Sequence, residues 1–345
     1  MALNAAVAVP GSTTGVPAAG INAWGCLSLN DGTLYSSANG GHGDSADNGA
    51  YALDLLQDAP AWRTIVAPST SVQPNVAYYT DGKPASRHGY QHAFYIAQRN
   101  RVMLFGLRFS YGAAYQFPTV DGHSVGNAAA WDPAGTYPDV PTGGNYGVAH
   151  DPRSGNVWTN AGKLWNQAAN TWGSPGTYTG KLRWGWQWDS KRSRFAGFQW
   201  GDGQGYGAPE LLAQFMNPDT GAATDIGWAS DAETVASLAQ IAAANPGSAT
   251  VPAYECSCYD AANDCFWLYY GSTASSDAAQ VFYKITPQDG AAGWGMRRVT
   301  FGGTVLPLMT GSGINGRLRY VVKLGGFVLM PTAAAGAGVF FVRTS

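Results

Sequence analysis

Trp24-Gly25-Cys26-Leu27-Ser28-Leu29-Asn30-Asp31-Gly32-Thr33-Leu34-Tyr35-Ser36-Ser37-Ala38 reads as an apolar strand, a tight polar turn and a second apolar strand. Asn30-Asp31-Gly32 makes the turn, because Asn, Asp and Gly tolerate the left-handed backbone that reverses a twisted strand pair. The phrase returns five times. Ala93 to Ala97 and Val102 to Phe105 flank Gln98 to Asn100, and further turns stand at Asp151 to Asn156, Asp189 to Arg194, Asp260 to Asp264 and Leu324 to Gly326. Second strands begin near Leu34, Val102, Val157, Phe195, Phe266 and Phe327. Their intervals of roughly 40 to 70 residues are too irregular for a solenoid and suit propeller blades with variable loops.

Composition agrees with short twisted strands and tight turns: 46 Gly, 13 Trp and 18 Tyr stand among 345 residues of which 12% are charged. No Pro/Ser linker or composition break divides the chain, so residues 1–345 read as a single domain. The 20 basic residues are scattered and the net charge is -2, which gives no footprint for nucleic acid. No apolar run reaches the ~20 residues of a membrane span, and Met1 to Pro10 lacks the basic start of a signal peptide.

The first blade continues through Gly40-Gly41, a third strand with Tyr51-Ala52-Leu53-Asp54-Leu55, and Trp62. The fifth copy matches it through Tyr269-Tyr270-Gly271, Phe282-Tyr283-Lys284-Ile285 and Trp294. Double Gly, then Tyr, then Trp on successive strands resembles the kelch repeat. Trp131-Asp132-Pro133-Ala134-Gly135 and Asn166-Gln167-Ala168-Ala169-Asn170-Thr171-Trp172 resemble its turn between third and fourth strands. The resemblance implies an all-β, six-bladed kelch-like β-propeller of the galactose-oxidase-like family. The last copy has three strands, Arg317 to Leu324, Phe327 to Pro331 and Val339 to Arg343, and Asn4 to Val9 is expected to complete it. A helix over about 231–244 is predicted by Ser230 with Glu233 as a capping box, an apolar stripe at Val235, Leu238, Ile241 and Ala242, and a stop at Asn245-Pro246-Gly247.

Turns between first and second strands are short, whereas Pro68 to Ser86, Leu107 to Asn127, Gly201 to Leu212 and Ser230 to Val251 read as long loops on the opposite face, where function is expected. His42 and His123, placed in loops between second and third strands, are candidate metal ligands with Asp44, Asp47 or Asp121; His88 opens an inner strand towards the same face. Asp44 to Asn48 offers oxygens for Ca²⁺. No cofactor is expected; Ca²⁺ or a transition metal is what those residues would hold. Tyr111, Tyr115 and Tyr206, with His88, are the candidate ligand-binding side chains, since flat aromatic faces stack on sugar rings. Trp184, Trp186 and Trp188 alternate on one strand face and read as packing between blades. Cys258 and Cys265 fall opposite each other if the hairpin centres between Ala261 and Ala262, which opens a disulfide beside the reading of buried free thiols.

A galactose-oxidase copper site needs His from later blades, and none follows His150; the sialidase Asp-box is likewise missing, although Arg87, Arg183 and Arg317 stand near inner strands. These observations leave enzymatic activity open and favour a non-enzymatic structural or interaction propeller. A bacteriophage tail or other virion component is expected, in the virion or outside the cell, with other virion proteins or a host-surface glycan or receptor as partners and a symmetric homo-oligomer as one arrangement. The alternative is a carbohydrate-binding or carbohydrate-active propeller.

Overall fold

A computed structural model describes residues 3–15, 25–40, 45–107, 110–112, 117–141, 148–182, 185–200, 210–244, 256–269, 281–307, 316–331 and 338–345. Six sheets stand in it, one for each copy of the repeated phrase. Blade 1 is Ser28–Asn30, Thr33–Ser37, Ala50–Asp54 and Trp62–Val66. Blade 2 has Ala93–Ile96, Arg101–Leu107 and Phe117–Ser124. Blade 3 has Val148–His150, Val157–Thr159, Leu164–Asn166 and Thr171–Gly173. Blade 4 has Trp186–Asp189, Arg194–Trp200, Leu211–Met216 and Ala223–Asp225. Blade 5 has Cys256–Asp260, Cys265–Tyr269, Val281–Thr286 and Gly295–Thr300.

Blade 6 contains both ends of the chain. Leu318–Val321, Gly326–Leu329 and Phe340–Arg343 are followed outward by Ala5–Ala8, which pairs antiparallel with the last strand through Ala6 and Val342, Val7 and Phe341, and Ala8 and Phe340. The expected closure by Asn4 to Val9 is therefore present. Gly302–Gly303 runs parallel to Ala5 and Ala6 and covers their outer edge, so the short closing strand is not left as an open template for another chain.

The core shows the ring is closed. Successive residues of a strand point to opposite faces, and here each face meets a different neighbour: Leu34 packs with Val328 and Phe341 of blade 6, whereas Tyr35 packs with Val102 and Leu104 of blade 2. Phe266 and Trp267 divide likewise between the clusters shared with blades 4 and 6. Among the described residues there are six such clusters. An open row of six blades has five interfaces, so the sixth cluster, joining blades 6 and 1, closes the ring. Each fully buried Phe or Leu contributes about 1.5–3 kcal/mol, which makes the clusters the main stabilising term.

The helix (Ala232–Ala244) is capped one residue later than expected. Asp231 Oδ1 accepts the Thr234 N–H at 2.9 Å and Oδ2 accepts the Thr234 hydroxyl at 2.7 Å; Asp is at least as good a cap as Ser, and its two oxygens serve both donors. Thr234 and Ser237 in turn accept the N–H groups of Met296 and Arg298 at 2.9 and 3.1 Å. The helix thus covers the outer strand of blade 5 with hydroxyls spaced to meet alternate edge amides. No helix among the described residues is long and apolar enough to cross a membrane.

Other expectations are corrected. Leu107 to Asn127 is not one long loop, because Phe117–Ser124 forms the third strand of blade 2. The turn after it covers residues 125–129, and Trp131-Asp132 pairs back onto that strand in the fourth-strand position rather than turning. Asn166 to Thr171 does make the third-to-fourth turn of blade 3. In blade 5, Asp260 pairs with Cys265 and Cys258 with Trp267. The turn is four residues long, closed by Asp264 at φ 46°, so the two thiols are out of register. All four Cys are free and buried.

Candidate functional site

The face of the long loops was the expected site. His42, Asp44, Tyr115 and Tyr206, and Arg183 and Trp184, lie outside the described residues. Of the remaining candidates, Asp47 is a structural anchor: its oxygens accept the Gly49 N–H at 2.7 Å and the Tyr51 hydroxyl at 2.6 Å. Burial and that carboxylate push the Tyr51 phenol upward. Tyr111 is half-buried, and its carbonyl accepts the Asn75 N–H at 2.9 Å. His88 is buried, its ring edge-on to Tyr90 with the centroids 5.7 Å apart and a 3.4 Å hydrogen bond between them.

His123 is moved from a loop into a strand. It pairs with Val102, next to the tight-turn end of blade 2. Its side chain is 0% exposed, with Nε2 2.7 Å from Ser37 Oγ of blade 1 and Nδ1 2.8 Å from the Ser124 carbonyl. Burial holds its pKa down at about 4. Both ring nitrogens are engaged, so His123 fastens blade 2 to blade 1 and presents no free lone pair to a metal. Among the described residues no group of three or more His, Cys, Asp or Glu is placed to hold a metal ion.

Asp121 also belongs to a fastening. Arg87 Nη2 donates to its Oδ2 at 2.7 Å, with both side chains buried, and Arg87 Nη1 donates to the Gly106 carbonyl at 3.2 Å. Arg87 lies in the segment leading into blade 2, whose backbone pairs with Ala38 and Gly40 of blade 1. The Tyr78 hydroxyl also reaches Asp121; burial and the carboxylate raise its pKa. Burial and the charge of Asp121 likewise raise the Asp139 carboxyl.

A concavity opens elsewhere, at the tight-turn end of the central axis. It encloses about 160 Å³ between the inner strands of blades 1, 2, 3, 4 and 6. Phe94, Tyr95, His150, Trp186 and Trp188 supply aromatic walls, and Ser28, Gln187 and Arg319 supply polar ones. Arg319 Nε donates to the Leu27 carbonyl at 2.7 Å and so ties blade 6 to blade 1. His150 packs against Phe94 with ring centroids 5.5 Å apart, and burial lowers its pKa to about 4, leaving it neutral at pH 7. At the rim the Arg153 guanidinium covers the Trp188 ring at 4.8 Å and grips Asp151 through two bonds of 3.0 and 2.9 Å. Burial raises the Asp151 carboxyl, but bonds from Arg153 and Ser154 pull it below its ordinary value.

Nearer the middle of the ring, Gln91 Oε1 accepts the Gly185 N–H at 2.7 Å and Ser257 Oγ donates to the Gly185 carbonyl at 3.4 Å. These bonds join the lead-ins of non-adjacent blades 2 and 4, and the lead-in of blade 4 to the inner strand of blade 5. Gly185 is required there: its φ is 87°, and a Cβ would lie 2.2 Å from the Phe198 carbonyl oxygen.

Sequence reasoning placed Trp186 and Trp188 in the packing between blades and did not single out Ser28, Phe94, Tyr95, His150 or Arg319 as a site. Each comes from a different repeat or strand position. The available signal was an aromatic or polar residue at equivalent inner-strand positions of several blades.

No family model matches the chain, and no curated protein matches it. Solved structures do. A Bacteroides thetaiotaomicron VPI-5482 protein described as of unknown function is similar over 97% of this chain and 74% of its own, with 12% identity and a TM-score of 0.50. YjhT is similar over 82% of this chain and 98% of its own at 13% identity and a TM-score of 0.42. Mala s 1, the major allergen of Malassezia sympodialis, is similar over 99% of this chain and 96% of its own at 9% identity and a TM-score of 0.48. At these identities the likeness is one of fold, and the chain is a six-bladed β-propeller closed by its N-terminal strand.

Proposed function

We propose that this chain is a non-enzymatic recognition propeller of the kelch-like kind, carried in a bacteriophage tail or another virion component. One observation carries the reading: the rigid ring has short turns on one face and longer connections on the other. First and second strands are joined by no more than the residues between Asn30 and Thr33, Ile96 and Arg101, His150 and Val157, Asp189 and Arg194, Asp260 and Cys265, and Val321 and Gly326. The second-to-third connections after Ser37, Leu107, Trp200, Tyr269 and Leu329 are longer, and only blade 3 keeps a short one, between Thr159 and Leu164. A rigid scaffold with variable loops on one face is how binding surfaces are usually built.

Supporting this, Asp47, Asp121 and His123 serve hydrogen bonds within and between blades instead of meeting at a reactive centre. The partner is another virion protein or a host-surface glycan, engaged through the loop face with Tyr111 on it. Mass spectrometry of purified particles from the source, combined with a glycan array probed with the chain and with Tyr111→Ala, tests the reading. Presence in particles, or glycan binding reduced by the substitution, supports it; a soluble host enzyme fraction containing the chain, with no particle association, contradicts it.

A further inference from the structure

Ser28 Oγ, His150 Nε2 and Arg319 Nη2 are buried side-chain atoms with no hydrogen-bond partner among the described residues, and all three residues line the axial cavity. Buried polar groups are nearly always paired, so three around one cavity, contributed by blades 1, 3 and 6, mark hydrogen bonds that the protein leaves to something else. Their chemistry is specific. Arg319 is a permanent cation that no carboxylate among the described residues opposes. Ser28 supplies a hydroxyl donor, and neutral His150 supplies one further donor or acceptor.

Size and wall composition narrow the occupant. A volume of about 160 Å³ holds roughly five waters and falls below the roughly 300–1,000 Å³ of drug-sized sites, so the cavity takes one ring. A pyranose brings hydroxyls around its whole rim and would leave several unpaired against Phe94, Tyr95, Trp186 and Trp188. A flat aromatic ring needs nothing from those walls except its faces and edges. The anionic group it must carry is set by the guanidinium.

We propose that the axial mouth on the tight-turn face binds a small aromatic carboxylate, its ring among Phe94, Trp186 and Trp188 and its carboxylate on Arg319 and Ser28. This site is separate from the loop face and does not depend on the virion reading.

Isothermal titration of the full chain with benzoate, with neutral benzamide of the same shape, and with methyl glucoside tests it. Benzoate is expected to bind at least about tenfold more tightly than benzamide, because the bond to the guanidinium is charge-assisted. Arg319→Gln should abolish that preference, and Ser28→Ala should weaken benzoate several-fold while the melting transition is kept. Arg319 also holds Leu27, so should Arg319→Gln fail to fold, the acid-to-amide comparison on the unaltered chain and loss of benzoate binding in Trp188→Ala decide the matter. No benzoate binding, equal binding of acid and amide, or a preference for the glucoside would overturn the proposal.

Discussion

Asp121→Ala is the substitution whose cost the structure fixes most closely. It removes the partner of a guanidinium that is itself 0% exposed, leaving Arg87 with its single bond to the Gly106 carbonyl. Breaking a buried pair by deleting one member costs about 3–5 kcal/mol, because the surviving charge stays desolvated. That is a fifth or more of the ~5–15 kcal/mol that holds a typical domain. Removing both charges is different: Arg87→Met with Asp121→Leu replaces the pair by apolar side chains of similar reach and should recover most of the loss, to within about 1–2 kcal/mol of the unaltered chain. Tyr78→Phe removes only the hydroxyl contact and should cost about 1 kcal/mol. Urea unfolding followed by both tryptophan fluorescence and far-ultraviolet circular dichroism gives the numbers, coincident curves showing that one transition is being measured. A cost below about 1 kcal/mol for Asp121→Ala, or a double variant no more stable than the single one, would refute the reasoning.

Acid should weaken the ring through its buried imidazoles. His123 has a folded pKa of about 4 against 6.5 when unfolded, so the folded state binds the proton less well: its contribution is complete above about pH 6.5 and is lost progressively down to about pH 4, up to about 3 kcal/mol. His150 shifts in the same direction; His123→Gln should flatten the stability profile across that window, as pH-dependent melting would show. Thr234→Val strands the Met296 N–H beneath the helix and should cost about 1–3 kcal/mol, with faster hydrogen exchange along Gly295–Thr300 before the rest of blade 5.

The repeated strand-turn-strand phrase was legible because the fold makes each copy do one job: its turn closes the tight end of a blade, and its alternating residues enter two neighbouring clusters. Closure by the N-terminal strand was legible from the missing strand of blade 6. The third strand of blade 2 was not, because Phe117-Pro-Thr-Val-Asp-Gly-His-Ser has the polarity of a loop. It holds as a strand because tertiary partners accommodate its polar groups, Arg87 pairing with Asp121 and Ser37 meeting His123. The Cys258 register failed for a local reason, a turn longer by two residues than the one assumed. The axial cavity was not legible because its walls are one to three residues from each of five blades, and along the chain each reads as ordinary packing.

The ring closed by its first strand underlies both proposed binding faces, and one cross-link tests it. The Val9 N–H donates to the Val339 carbonyl at 2.8 Å, which places Ala8 and Phe340 at the following non-hydrogen-bonded pair, where Cα atoms of antiparallel strands lie about 4.5 Å apart. That separation admits a disulfide. In the variant carrying Ala8→Cys and Phe340→Cys, mild oxidation followed by peptide mapping should find the N-terminal peptide joined to the C-terminal one within the same chain. Both introduced thiols remaining free in a folded protein, or joined only between chains, would contradict the closure.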